Sequence, residues 1–148
     1  MNTSSLVKRL TGILLLLCAF AVLAEDPHAA AIGRLSEVDV FAFGGVGFAG
    51  QTSKGEIDFR LVLSQPSPVA LSALEKLYAT GNPQARSYAL FGIRKIKPSR
   101  FKELLTSAEA SKDKVDVMRG CIITHELLRD VAKQIDHGVW DAWFALRS

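Results

Sequence analysis

Cysteine is scarce in this sequence. Cys18 and Cys121 are the only two in 148 residues, so no disulfide framework holds the chain together and an apolar core must do so. Charge of one sign is lacking as well: 18 Lys and Arg face 15 Asp and Glu, a formal net charge of +3. So even a balance disfavours nucleic acid as a partner, because that affinity rests on many cationic phosphate contacts. No apolar run has the ~20 residues that a membrane-spanning helix needs. The longest runs from Leu10 to Leu23, interrupted only by Thr11 and Gly12. A zinc-protease H-E-x-x-H pattern starts at His125-Glu126 but has Arg129 where the second histidine belongs, so the ligand pair one helical turn apart is missing. Asp136, His137 and Asp141 are the types that cap and solvate a helix end, and neither a metal nor a cofactor is expected.

What remains is globular in composition, with 49% hydrophobic and 22% charged residues and a mean hydropathy of +0.19. Residues 1–24 read as a secretory signal. Lys8 and Arg9 form its basic start, Leu10 to Leu23 its apolar centre, and Val22-Leu23-Ala24 a small-residue cleavage site. Leu17 before Cys18 argues against lipidation. Export to the periplasm or the extracellular space is expected, with no transmembrane anchor after cleavage. Cleavage lowers the net charge from +3 to +1 and leaves Cys121 as the lone cysteine. Within Gly120-Cys121-Ile122-Ile123 it reads as a buried small hydrophobe.

Residues 25–36 carry no sustained pattern and read as a flexible tether, and 37–148 as a single mainly helical domain. Val38 to Phe43 is a short extended run that ends in Gly44-Gly45-Val46-Gly47-Phe48-Ala49-Gly50. This loop fits G-x-G-x-x-G, but the next helix cap is Ser53, outside the motif, and no alternating strands follow. The dinucleotide reading fails on both counts, leaving a structural turn or a loop that touches a partner or a membrane.

From Ser53 the helix punctuation becomes regular. Ser53-Lys54-Gly55-Glu56 is a capping-box pattern, and that helix should stop before Pro66. Ser67 should cap the next helix ahead of Pro68, with Ala70, Ala73, Leu74, Leu77 and Tyr78 as its apolar stripe. Thr80-Gly81-Asn82-Pro83 reads as a left-handed stop, a cap and a helix start in succession. A third stripe ends before Pro98, and Phe101, Leu104, Leu105 and Ala108 make a fourth. Pro68, Pro83 and Pro98 recur every fifteen residues, so the helices are short and neighbours pack as hairpins.

Asn82-Pro83-Gln84-Ala85-Arg86-Ser87-Tyr88-Ala89-Leu90-Phe91-Gly92-Ile93 resembles the opening helix of a HEAT-type (armadillo-like) repeat, a likeness confined to residues 82–97. There Asn-Pro is followed by an apolar residue, Arg, an Ala pair and Leu-Gly-Ile, and Tyr88 departs from the pattern by replacing the first Ala. The resemblance implies an all-α fold, a compact stack of short antiparallel helix hairpins, here preceded by the extended segment and Gly-rich loop.

Residues 114–123 fit helix or strand, and helix is the favoured reading. Thr124 should cap a further helix with Leu127, Leu128, Val131 and Ile135 on its buried face and Gly138 as its stop. Trp140, Trp143, Phe144 and Leu146 should fold back on it. Two functions follow. The first is a secreted, non-enzymatic protein-interaction module, whose partner is a protein or an anionic envelope component. Its contact face would be the basic turn of Arg94, Lys95, Lys97, Arg100 and Lys102, in a stretch free of acidic residues from Gln84 to Lys102. The alternative is a small thiol-dependent hydrolase using Cys121 and His125, which stand at i and i+4 and would meet on a continuous helix.

Overall fold

A computed structural model describes residues 26–146. Along the chain lie α1 (Pro27–Ser36), β1 (Gly45–Val46), β2 (Gln51–Thr52), α2 (Lys54–Leu63), α3 (Ser67–Thr80), α4 (Pro83–Ile96), α5 (Pro98–Glu109), β3 (Lys114–Arg119), β4 (Ile122–Leu127), α6 (Leu128–Asp136) and α7 (Val139–Ala145). The protein is mainly helical, with β1–β2 and β3–β4 as two small antiparallel hairpins. The signal assigned to 1–24 lies outside the described residues.

Helix α4 is the centre. Every residue from Ser87 to Ile93 is buried, so the helix is apolar all round, as a core helix must be. Around it pack α3, α5, α6 and β3. Asn82 caps it, its Oδ1 accepting from the Ala85 amide at 2.8 Å, and Pro83 opens it. The predicted stripes face inward: Ala70, Leu74, Leu77 and Tyr78 on α3, Phe101 and Ala108 on α5, and Leu128, Val131 and Ile135 on α6 are buried, while Ala73, Leu104 and Leu105 are partly so. The C-terminal aromatics fold back as well. Trp140 is fully buried, Trp143 and Phe144 pack against the core, and Leu146 stays exposed.

Between α4 and the outer helices runs the extended segment 41–43, fully buried along its length. Phe43 meets six rings, with centroids 4.7 Å away for Phe91, 5.1 Å for Phe144, 5.3 Å for Phe41 and Tyr88, 5.6 Å for Phe59 and 6.3 Å for Trp140. Edge-on and tilted arrangements dominate, as the ring quadrupoles prefer. One cluster thus joins the N-terminal loop, helices α2 and α4 and the C-terminal α7.

Several expectations are corrected here. The predicted tether is helix α1 over Pro27–Ser36, started by Asp26, whose Oδ1 accepts from the His28 amide, and buried through Ala31 and Leu35. Three alanines in a row are strong helix formers, and α1 rests on α2 and α3. Residues 114–123, favoured as helix, belong to the β3–β4 hairpin, because the alternation Val115, Val117 is buried on one face while the residues between are not. Thr124 is consequently a strand residue rather than a cap, and α6 starts at Leu128. Ser67 is the first residue of α3 and makes no capping bond; Pro66 occupies the N-cap position. In the Ser53 box, the Glu56 amide donates to Ser53 Oγ at 3.0 Å, but the Glu56 carboxylate turns inward instead of back to the Ser53 amide.

Gly81 is not left-handed, having φ −79° and ψ 166°. Its side-chain-less form is required for another reason. A Cβ there would stand 2.7 Å from both the Leu77 carbonyl oxygen and Ala85 Cβ. Gly81→Ala and Gly81→Val are each expected to cost on the order of 1 kcal/mol or more in denaturant unfolding, through crowding of the α3–α4 turn. Full stability in Gly81→Ala would remove the steric account.

Candidate functional site

A buried extended segment leaves backbone groups that no helix satisfies, and the residues that satisfy them also fix where the Gly-rich loop leaves the core. Tyr88, on α4, donates its hydroxyl to the Ala42 carbonyl at 2.8 Å and accepts from the Ala42 amide at 3.1 Å. The Gly44 amide donates to Glu56 Oε2 at 2.8 Å, and Arg60, one turn on along α2, donates to Glu56 Oε1 from Nε at 2.9 Å and Nη2 at 2.7 Å. Arg60 also donates to the Phe144 carbonyl at 2.6 Å and lies over its ring at 4.1 Å. A fully buried carboxylate is tolerated here because it is both paired and hydrogen-bonded. On the other side, the Phe41 amide donates to the Asp116 carbonyl and the Met118 amide to the Phe41 carbonyl, which fastens the segment to β3.

Beyond Gly44 the chain turns back through β1–β2, with Gly47 (φ 69°) and Gly50 (φ 58°) in the turn. The β3–β4 hairpin turns at Gly120-Cys121, where Gly120 has φ 58°, a left-handed conformation that a Cβ would resist. Its tip lies beside the first. Val46 forms a parallel bridge with Gly120, and the Gly47 amide donates to the Gly120 carbonyl at 2.9 Å. Four side chains project from this double tip. Phe48 is fully exposed, Ile122 is 68% and Ile123 53% exposed, and Cys121 is exposed.

Beside its turn the second hairpin is fixed on the helices. Arg119 donates to Glu126 at 2.6 Å and to Gln134 at 2.7 Å and stands 4.5 Å over the Trp140 ring. Burial alone would push the Glu126 carboxyl up, but the bonds from Arg119, Gln134 and Thr124 outweigh it and hold it below the ordinary range.

The residues singled out in the sequence are distributed differently. Arg94 grips Asp141 through two bonds of 3.2 and 2.6 Å, and Lys95 reaches the same carboxylate at 2.6 Å. Arg100 pairs with Glu75 and Glu103, both at 2.6 Å, and Lys102 with Asp136 at 2.7 Å. Lys97 is exposed at the end of α4. Acidic partners from α3, α5, α6 and α7 therefore face four of the five cations, a neutralisation that the local sequence, free of carboxylates, did not reveal.

Cys121 is not the buried hydrophobe expected, because it sits in the turn between two strands. His125 lies four residues along an extended strand, about 13 Å away at ~3.3 Å per residue, and its Nδ1 bonds Asp116 at 2.5 Å across the hairpin. The two members of the thiol–imidazole pair are thus not brought together. Among the described residues no group of three His, Cys, Asp or Glu is placed to hold a metal ion.

The projecting residues Phe48, Ile122 and Ile123 were not identified from the sequence as site residues. A signal existed, since Gly120-Cys121 between Val115-Asp116-Val117 and Ile122-Ile123-Thr124 is a two-residue turn between β-branched runs. Compared with protein-family models, with curated proteins and with solved structures, the chain matches none.

Tyr88 supplies a pH test of this frame. Burial pushes its phenol up from 10.0 to about 12, against the opposing bonds from Ser53 and Ala42. The folded state is therefore fully favoured below pH 10 and loses stability as pH rises from 10 towards 12, by on the order of 3 kcal/mol. Tyr88→Phe is expected to lose that alkaline slope in denaturation curves. At neutral pH it should cost about 1–3 kcal/mol, because the Ala42 amide is left unpaired and its carbonyl keeps only the 3.3 Å bond from Ser53 Oγ.

Proposed function

We propose that this chain is an exported, non-enzymatic interaction module that meets a protein partner through its double hairpin tip. The observation that carries this reading is the convergence of Phe48, Ile122 and Ile123, exposed and apolar, on two turns joined by the Gly47–Gly120 hydrogen bond. Single exposed apolar residues are ordinary; a cluster on neighbouring tips marks a contact surface. An aromatic at the centre of a desolvated contact supplies much of its affinity. Glycine turns let the backbone approach a partner closely, and the bonds to Tyr88 and Glu56 fix where the loop leaves the core, so less ordering is required on binding.

Export rests on the signal pattern of residues 1–24. The HEAT-like reading belongs to the same proposal: α3 and α4 pack as a pair across the tight Gly81-Asn82 turn, and the remaining helices serve as the platform. The basic turn is a weaker contact face than its sequence suggested, since Asp141, Glu75, Glu103 and Asp136 already neutralise Arg94, Lys95, Arg100 and Lys102. The hydrolase alternative loses its geometric basis with Cys121 in the hairpin turn and His125 well along the extended strand that follows.

Affinity capture from envelope extracts, compared between variants, tests the reading. Phe48→Asp is expected to reduce recovery of the wild-type partner by on the order of tenfold or more, with unchanged melting, because the side chain touches no core. Lys95→Glu with Lys97→Glu should retain the partner, and raised salt should have little effect. Capture that survives Phe48→Asp but fails with the charge reversals would retire the tips in favour of the basic turn.

A further inference from the structure

Strand β4 is an edge. In the β3–β4 ladder, Asp116 pairs with His125 and Met118 with Ile123. Asp116 and Met118 direct their backbone bonds to Phe41, on the far side of β3. Since backbone groups alternate sides along a strand, it is Val115, Val117 and Arg119 that bond β4, and they bond Glu126, Thr124 and Ile122. Ile123 and His125 consequently turn their N–H and C=O groups outward, and none of these four groups is paired among the described residues. Protein edges of this kind are normally blunted by Lys, Pro or a bulge. The β4 sequence Ile122-Ile123-Thr124-His125-Glu126-Leu127 contains neither Lys nor Pro, and its register with β3 runs unbroken. From Ile122 to His125 both faces of the strand are exposed.

We infer that a second copy of this chain covers this edge, the two β4 strands pairing antiparallel about a two-fold axis at Ile123. Charge selects the copy and the register. Gly120 to Thr124 carries no charged side chain. The nearest carboxylates are engaged within the chain, Asp116 by His125 and Glu126 by Arg119 and Gln134, so two copies approach without like-charge repulsion. Only odd-numbered residues present outward backbone groups, and these must oppose one another, which limits the axis to Ile123, Thr124 or His125. An axis at Thr124 would set Ile122 against the Glu126 carboxylate and Ile123 against His125 of the second copy. An axis at His125 would face imidazole with imidazole. An axis at Ile123 places Ile123 against its own copy and Ile122 against Thr124 of the second strand, which covers the exposed isoleucines on both faces. An isologous pairing of this sort satisfies the outward donor and acceptor of Ile123 on both strands reciprocally. The pairing takes Ile122 and Ile123 from the tip surface but leaves Phe48, which lies across β3 from this edge, exposed, so Phe48→Asp reads the tip alone and Ile123→Lys reads the edge.

A strand pair this short is a small interface, and association should be weak, roughly micromolar. Sedimentation of Cys121→Ser protein, which removes adventitious tip disulfides, should show a monomer–dimer equilibrium across the micromolar range. Ile123→Lys is expected to weaken it by on the order of tenfold or more while leaving circular dichroism and melting unchanged. For the register, Ile123→Cys in the same background should form an inter-copy disulfide on treatment with diamide. Opposed residues of a hydrogen-bonded pair have Cα atoms about 5.5 Å apart, inside the disulfide range. Thr124→Cys, which faces Ile122 of the second copy, should stay largely unlinked. A monomer up to hundreds of micromolar overturns the proposal, as does dimerisation that is indifferent to Ile123→Lys. A monomer that binds phosphatidylcholine–phosphatidylglycerol vesicles instead assigns the edge to lipid and overturns it equally.

Discussion

The structure depends on the demand that a buried, non-helical backbone be hydrogen-bonded. Residues 41–43 pass through the centre of a helical protein, and a peptide group left unpaired there costs about as much as a large mutational defect. The Tyr88 hydroxyl meets both polar groups of Ala42 at once. Glu56 takes the Gly44 amide, and β3 exchanges two bonds with Phe41. With those bonds made, Phe41 and Phe43 can enter the aromatic cluster, and the cluster holds α2, α4 and α7 together.

The hairpins follow from the same demand. A central extended segment needs a strand beside it, and β3 is that strand; β3 in turn needs β4, whose far edge nothing in the described chain covers. The first loop is bound to the second tip through Val46 and Gly47. Exposed apolar residues at the tips and the exposed edge of β4 are thus two consequences of inserting a small sheet into a helix stack. Arg119, set over Trp140 and bonded to Glu126 and Gln134, keeps the sheet from detaching from α6 and α7.

Most of the helices, and the caps Ser53 and Asn82, were legible in the sequence because their causes are local. Ser53, Asn82, Pro83 and Pro98 act within one turn of themselves, and the apolar stripes of α3, α5 and α6 need only the 3.6-residue period to be recognised. Hairpin β3–β4 was less so. Val115 to Ile123 is short and apolar, and such a run becomes strand only when a neighbour supplies the other half of its ladder. For α1 the cause is again distant: ten residues are too few to be helical alone, and burial of Ala31 and Leu35 against α2 and α3 stabilises them. The candidate site was legible in its parts, the Gly44–Gly50 loop and the Gly120-Cys121 turn, but not in their adjacency, which spans more than seventy positions.

By itself the sequence determined a mainly helical chain, the positions of the turns between α2 and α5 and most of the apolar faces that meet in its core, since each of these is encoded within a few residues. Only the tertiary structure decided that Arg94, Lys95, Arg100 and Lys102 are neutralised by carboxylates drawn largely from other helices, that Cys121 in its turn and His125 on its strand stand apart, and that Phe48 and Ile122 share a surface. Those outcomes depend on pairings between distant segments. Ion pairs and strand ladders are fixed by which partner the packed chain brings within ~3 Å, and no local pattern carries that information.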